Sequence, residues 1–253
     1  MDLTRFSLQG RVALVTGASR GLGAAMAMGL AQAGADIVLH DRAESCDSER
    51  AIIERTGVRT CCLKADLSDR GAADAMAEAA IKTMGRVDIL VNNAGIIRRT
   101  PAVDFSDADW DDVIEVNLTA VFRLCRAVGR HMLEQGHGKI INVASLLSFQ
   151  GGVTVPSYAA AKGGVAQLTK ALANEWAGRG VNVNAIAPGY MLTDNTKPLV
   201  ADEGRYRQIT ERIPAGRWGL PEDLAGVVVF LASPASDYVS GHVLVVDGGW
   251  MGR

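Results

Sequence analysis

The stretch Val12-Ala13-Leu14-Val15-Thr16-Gly17-Ala18-Ser19-Arg20-Gly21-Leu22-Gly23-Ala24-Ala25-Met26-Ala27 contains three kinds of segment in sequence. Residues 12–15 are apolar without polar alternation, the pattern of a strand buried on both faces of a parallel sheet. Three glycines follow in the spacing Gly-x-x-x-Gly-x-Gly. An Ala- and Met-rich segment, 22–33, then runs with helical periodicity to Gly34, which suits a helix C-cap. Strand, glycine turn and helix in this order open a β-α-β unit.

Outward from this point the alternation repeats. Apolar runs recur at 36–39, 58–63, 87–91, 139–143, 181–186 and 243–246, most of them rich in Val and Ile. Helical periodicity occupies 69–84, closing at Gly85. It returns over 106–134, which opens with Ser106-Asp107-Ala108-Asp109, an N-cap with acids in the first turn. Residues 157–176 and 221–232 form two more such segments, the latter with Pro221 at its first helical position. This predicts the α/β class: a Rossmann-type, doubly wound parallel sheet of about seven strands with helices on both faces. No linker interrupts it, so residues 1–253 read as a single domain. Residues 188–219 lack strong periodicity and leave the carboxyl end of the strand at 181–186. Ligands bind beyond that edge in such sheets, so 188–219 reads as a substrate lid.

The bulk numbers narrow the function. The chain has 253 residues, 48% of them hydrophobic and 21% charged, with a net charge of −2. Such a chain buries a sizeable core, and its scattered Lys and Arg argue against nucleic acid as a partner. No apolar run reaches the ~18 residues of a membrane span, and residues 1–17 lack a signal-peptide pattern, so a cytoplasmic protein is expected. Cys46, Cys61, Cys62 and Cys125 show neither redox nor zinc spacing and read as small buried hydrophobes, with Cys61 and Cys62 on opposite faces of a strand. No metal-ligand cluster stands out. His131, His137 and His242 read as surface or loop residues, and His40 as a strand-end residue, structural or near a ligand.

The glycine turn points to a dinucleotide. Without Cβ atoms it lets backbone approach a pyrophosphate, and the helix N-terminus adds N–H donors and positive dipole. Gly17, Ser19, Arg20, Gly21, Leu22 and Gly23 are the candidate contacts. Asp41 closes the second strand, where a carboxylate accepts from adenosine ribose hydroxyls and repels a 2′-phosphate. Asp66 and Leu67 follow the third strand, within reach of an adenine. Each aspartate has an alternative as a turn or cap residue. Arg20 and Arg42 suit a 2′-phosphate instead. The ribose position of Asp41 favours NAD, with NADP not excluded.

Further candidates stand at other strand ends. The run 87–91 leads into Asn92-Asn93-Ala94-Gly95, and 139–143 into Ala144-Ser145. Tyr158-Ala159-Ala160-Ala161-Lys162 places Tyr and Lys on one helix face. Hydride loss from an alcohol carbon requires the hydroxyl proton to leave too. Tyrosine, with an ordinary pKa of ~10, is a poor base near neutrality unless a nearby cation favours the tyrosinate. A serine sharing the reacting oxygen serves as an oxyanion-type polariser.

Taken together, Thr16-Gly17-x-x-x-Gly21-x-Gly23, Asn92-Asn93-Ala94-Gly95, Asn117, Ser145, Tyr158-x-x-x-Lys162 and Pro188-Gly189-Tyr190-Met191-Leu192-Thr193 resemble the short-chain dehydrogenase/reductase family over essentially the whole chain. The resemblance implies Tyr158 as general acid/base, Lys162 as its activator and a ribose ligand, Ser145 as polariser, and Asn117 as anchor of a proton-relaying water. It implies that Asn93, Ala94 and Gly95 line the adenosine-to-ribose stretch. Pro188, Gly189, Met191 and Thr193 would contact the nicotinamide end. Ser148 is a weaker alternative for the polariser.

A closer resemblance within that family is to 2-dehydro-3-deoxy-D-gluconate 5-dehydrogenases, also described as 2-deoxy-D-gluconate 3-dehydrogenases. It rests on Ile97-Arg98-Arg99, Asp109-Trp110-Asp111-Asp112, Leu147-Ser148-Phe149-Gln150-Gly151-Gly152, Arg212-Ile213-Pro214-Ala215-Gly216-Arg217-Trp218-Gly219 and Val246-Asp247-Gly248-Gly249-Trp250. It is weaker over 43–60. It implies a deoxy-keto sugar acid from uronate breakdown as the small-molecule substrate, and a homotetramer. Leu147, Gln150 and Tyr190 are candidate substrate contacts, and one of Arg98, Arg99 and Arg217 is expected to clamp the carboxylate. Gluconate 5-dehydrogenase and 3-oxoacyl-carrier-protein reductase are the alternatives within the family. A nucleotide-sensing scaffold is the non-enzymatic one, which the intact Asn117, Ser145, Tyr158 and Lys162 oppose.

Overall fold

The computed structural model describes residues 3–42 and 46–253. Seven strands make one sheet: β1 (Val12–Thr16), β2 (Asp36–Asp41), β3 (Thr60–Lys64), β4 (Ile89–Asn92), β5 (Gly138–Val143), β6 (Val181–Pro188) and β7 (Val243–Val246). All pairings are parallel, in the order β3-β2-β1-β4-β5-β6-β7. The strand count and parallel pairing are as the apolar runs predict; the inner strands are buried on both faces, whereas β3 and β7 at the sheet edges are mostly half-buried. The order reverses between β1 and β4, and such a switch point opens a crevice beyond the strand carboxyl ends.

The helices are α1 (Gly21–Gln32), α2 (Asp47–Glu54), α3 (Ala72–Met84), α4 (Asp107–Ile114), α5 (Ala120–Gln135), α6 (Pro156–Trp176), α7 (Lys197–Ala201), α8 (Glu203–Arg212) and α9 (Ala225–Ala232). They cover both faces. One core cluster packs α3, α5 and α6 onto Val12, Leu14, Val38, Leu90 and Ile140. The other packs α1 and α9 onto Ala13, Val15, Ile37, Leu39 and Ile141. Alternate residues of the same strand feed opposite clusters, as period-two geometry requires. Cys61 and Cys62 divide between the two faces as expected, but both are half-buried rather than buried.

The segment expected as one helix over 106–134 is two. Ser106 caps the first as predicted, its hydroxyl accepting from the Asp109 N–H at 3.1 Å. Between α4 and α5, however, Glu115–Thr119 forms a π-turn centred on Asn117. The excursion 188–219 is also more regular than its sequence suggests, since it carries α7 and α8. Among the described residues no helix is long and apolar enough to cross a membrane.

Of the histidines expected at the surface or in loops, His137 lies in the loop between α5 and β5 and is tied to a buried acid, while His131 is drawn partly inward. His137 Nε2 lies 2.6 Å from Asp88, a carboxylate only 2% exposed that also binds Arg86 and the Val12 N–H. His131 is half-buried on α5, with Nε2 lacking a partner. His242 is exposed as expected, and His40 is buried at the end of β2, with Nε2 3.0 Å from the Ala65 carbonyl.

Candidate active site

The glycine turn is braced from the neighbouring strand. Asn93 Nδ2 donates to the Thr16 and Gly17 carbonyls at 2.9 and 3.0 Å, and the Thr16 hydroxyl accepts from the Asn93 and Ala94 N–H groups at 3.0 Å each. The Asn93 amide nitrogen therefore shapes the turn. Gly17 and Gly21 have φ of 63° and 55°, the left-handed region that glycine tolerates. A Cβ on Gly23 would sit 2.0 Å from the Gly17 carbonyl oxygen, so this position closes the turn against α1. A Cβ on Gly21 would meet only the Thr193 methyl, at 3.9 Å. No side chain caps the first turn of α1. Free N–H donors, helix dipole and open space above Gly21 fit a pyrophosphate.

At the end of β2, the Ser19 hydroxyl donates to the Asp41 carboxylate. Asp66 sits in a turn where its Oδ1 accepts from the Ser68 N–H at 3.0 Å and hydroxyl at 2.8 Å, bonds that hold its pKa below the usual range. Leu22 packs against one core cluster, and Leu67 and Met191 are buried in core clusters. Arg20 is 79% exposed and lies 3.5 Å from Asp194 of the excursion.

Ser145, Tyr158 and Lys162 converge at the carboxyl ends of β5 and β6. Ser145 lies near enough to Tyr158 to favour its tyrosinate, and Lys162 Nζ lies 5.6 Å from the centre of the Tyr158 ring. Lys162 is 4% exposed and donates to the Val143 carbonyl at 2.6 Å. Burial lowers its pKa to about 8. Burial also raises the Tyr158 pKa, with Ser145 and the positive charge of Arg99 pulling the other way. In the protein alone, burial of the phenol thus outweighs the groups that favour the tyrosinate.

Ser148 is no polariser. Its hydroxyl donates to the Lys162 carbonyl at 2.6 Å and accepts from the Ser145 N–H at 3.3 Å, tying the serine turn to α6. Asn117, fully buried, accepts from the Ile96 N–H through Oδ1 and donates to the Ile96 carbonyl through Nδ2, both at 2.8 Å. Gly95 sits beside it, where a Cβ would come 3.2 Å from Oδ1. Gly189 donates its N–H to Val246 at 2.9 Å and, with Pro188, joins β6 to the excursion. Thr193 opens a capping box with Thr196.

The three candidate arginines separate. Arg98 is paired with Asp109 at 3.1 Å and Asp112 at 3.6 Å. Arg217 holds Asp223 through two bonds, at 2.7 and 2.9 Å. Among the described residues, Arg99 alone of the three has no carboxylate partner: it donates to the Asn195 carbonyl at 3.0 Å and its charge reaches Tyr158.

The family model described as enoyl-(acyl carrier protein) reductase matches residues 17–251. The chain belongs to the short-chain dehydrogenase/reductase family. It is 54% identical to 2-dehydro-3-deoxy-D-gluconate 5-dehydrogenases of Dickeya dadantii and Escherichia coli, with all of this chain and all of each relative aligned. Its fold matches the crystal structure described as that of a 2-deoxy-D-gluconate 3-dehydrogenase from Agrobacterium tumefaciens with bound NADP. That match has a TM-score of 0.93 and 55% identity, covering 98% of this chain and 99% of the other. As a member of this family the chain is an oxidoreductase acting on CH–OH groups with a nicotinamide cofactor, NAD or NADP.

Some of the site was not singled out from sequence. The Asn92-Asn142-Thr169 chain of hydrogen bonds beneath the strand ends links residues too far apart to suggest one another. So does the aromatic group of Tyr190, Tyr206, Trp218 and Trp250 above them, although Tyr190 was a substrate candidate. Among the described residues no His, Cys, Asp and Glu cluster suits a metal.

Proposed function

We propose that the chain oxidises a secondary hydroxyl of a deoxy-keto sugar acid of the 2-dehydro-3-deoxy-D-gluconate type, or catalyses the reverse reduction. The observation that carries this is the meeting of Ser145, Tyr158 and Lys162 at the strand-end crevice, with one carboxylate-free arginine, Arg99, beside them. The identity to sugar-acid dehydrogenases supports the substrate class.

In this reading Tyr158 takes the hydroxyl proton and Ser145 donates to the same oxygen. Bound nicotinamide supplies hydride acceptance, and its positive charge favours the tyrosinate that burial disfavours. Lys162 spends one N–H on Val143, leaving two for the ribose hydroxyls. Asn117 spends its side chain on Ile96, so the expected anchoring of a relay water falls to main-chain carbonyl released by the π-turn. Arg99 binds the substrate carboxylate, with Gln150, Leu147 and Tyr190 around the polyol. The segment 188–219 acts as the lid, latched at Arg99–Asn195 and Arg20–Asp194.

NAD is the preferred cofactor in this reading, because Asp41 closes β2 with its carboxylate fixed by Ser19. The reaction belongs to the cytoplasm, in a homotetramer. The test is nicotinamide reduction on adding a panel of deoxy-keto acids, gluconate and non-acidic polyols to the purified protein, with NAD and NADP in parallel and sedimentation of the same sample. Turnover of polyols as fast as of acids would overturn the substrate class. A preference for NADP that Asp41→Ala leaves unchanged would overturn the cofactor reading.

A further inference from the structure

The turn after β7 brings one side chain back over the site. Trp250 is 5% exposed and packed between two parts of the excursion: its ring centre lies 4.7 Å from that of Tyr190, and the Arg212 guanidinium, at the end of α8, lies 3.9 Å from its ring. It shares a small core with Leu146, Ile209, Ile213 and Trp218. Leu146 directly follows Ser145, so this core touches the catalytic turn, the excursion and the turn after β7 together.

The indole N–H of Trp250 donates to Gln150 Oε1 at 3.3 Å. An indole nitrogen is a donor only, so the contact fixes which way the carboxamide points: oxygen toward Trp250, amino group away. The Gln150 backbone is pinned as well, its N–H donating to the Leu146 carbonyl at 3.1 Å. The Gln150 amino group finds no acceptor among the described residues. It therefore offers two oriented donors beside the serine turn.

We propose that Trp250 is a positioning residue for substrate recognition, orienting Gln150 so that its amino group donates to the hydroxyl and carbonyl oxygens of a polyhydroxy acid. Because Trp250 is gripped by Tyr190 and Arg212, the orientation of Gln150 depends on the excursion being docked. Specificity for a polyol chain is thus read only in the closed arrangement. This rests on the sugar-acid reading above.

The test is a double-mutant cycle on the full chain, with Trp250→Phe, which keeps the ring and removes the N–H, Gln150→Ala, and both together. Trp250→Phe should raise KM for the sugar acid about five-fold, as befits one neutral hydrogen bond, with kcat and the cofactor KM unchanged. In the Gln150→Ala background the same change should cost nothing further. An equal cost in both backgrounds, or a fall in kcat at constant KM, would overturn the proposal. Independently of any substrate, the Trp250 indole N–H resonance, assigned by its loss in Trp250→Phe, should move in Gln150→Ala. An unmoved resonance would show that the contact does not exist, whereas failure of the sugar acids alone as substrates would sink only the reading on which the proposal rests.

Discussion

The strand-end floor of the site and the excursion 188–219 are held by different packing. Floor residues stand on strands buried along most of their length, and along all of it in Val12–Thr16 and Ile89–Asn92, between two large clusters. The excursion's helices bury one side chain, Ile209 of α8, and close onto a small core completed from outside by Leu146 and Trp250. Few buried contacts mean low local stability, so the excursion can open at less cost than the floor can deform. The division suits an enzyme whose proton chemistry needs fixed geometry while its substrate must enter and leave.

The largest effect that would break this division is at the floor. Tyr158→Phe should lower kcat by roughly 10²–10⁴-fold, the range for a lost general acid/base, while cofactor affinity measured by titration stays near wild type. Full turnover by this variant would show that the proton leaves by another route.

The same division governs what could be read from the sequence. Each strand leaves a short apolar run, whether buried on both faces or half-buried at the sheet edge as β3 and β7 are, so all seven were visible in residues 12–15 through 243–246. Caps at Ser106 and Gly85 likewise act locally and were legible. The excursion was not: α8 reads Glu-Gly-Arg-Tyr-Arg-Gln-Ile-Thr-Glu-Arg, and with only Ile209 buried it carries no apolar stripe. Asn117 was visible as a motif residue, but the π-turn that holds it has no residue signature. Pairings such as Arg217 with Asp223, or Trp250 with Gln150 one hundred positions away, are set by tertiary geometry. Sequence could nominate three arginines but not separate them.

A matched pair of truncations sharpens the contrast. Leu14→Ala, in β1, should cost ~2–5 kcal/mol of global stability and lower Tm by several degrees. Trp218→Ala removes a larger buried side chain, yet from the small core, so its cost should appear as local opening. The expected result is a sharp rise in substrate KM and faster amide exchange across 197–213, with a smaller fall in Tm than Leu14→Ala. Equal falls in Tm would mean that floor and excursion unfold as one unit.

Lys162 offers a test within the floor. Its folded pKa of about 8 lies below the ordinary lysine value, so between pH 8 and 10.5 the unfolded chain binds more protons than the folded one. Stability from this group then rises with pH across that window, and the cost of burying the ammonium is fully present below it. Lys162→Met should remove this upward slope in Tm against pH from 8 to 10 and raise Tm at pH 7, even as activity is lost. An unchanged slope would place the lysine in a wetter site than its 2.6 Å bond to Val143 implies.

The smallest effects separate two arginines of similar exposure. Arg217 is paired with Asp223 at the surface, where a solvent-screened ion pair adds little, so Arg217→Met should leave KM within about two-fold of wild type. Arg99 has no acid to satisfy it among the described residues and sits where its charge is felt by Tyr158. A charge-assisted bond to a substrate carboxylate contributes ~1.5–3 kcal/mol, so Arg99→Met should raise KM for the acid about ten-fold or more. With an uncharged analogue of the same polyol the two variants should converge, because the missing carboxylate removes the difference between them. If Arg99→Met costs as much with the analogue as with the acid, Arg99 serves as the latch to Asn195 and not as the carboxylate clamp.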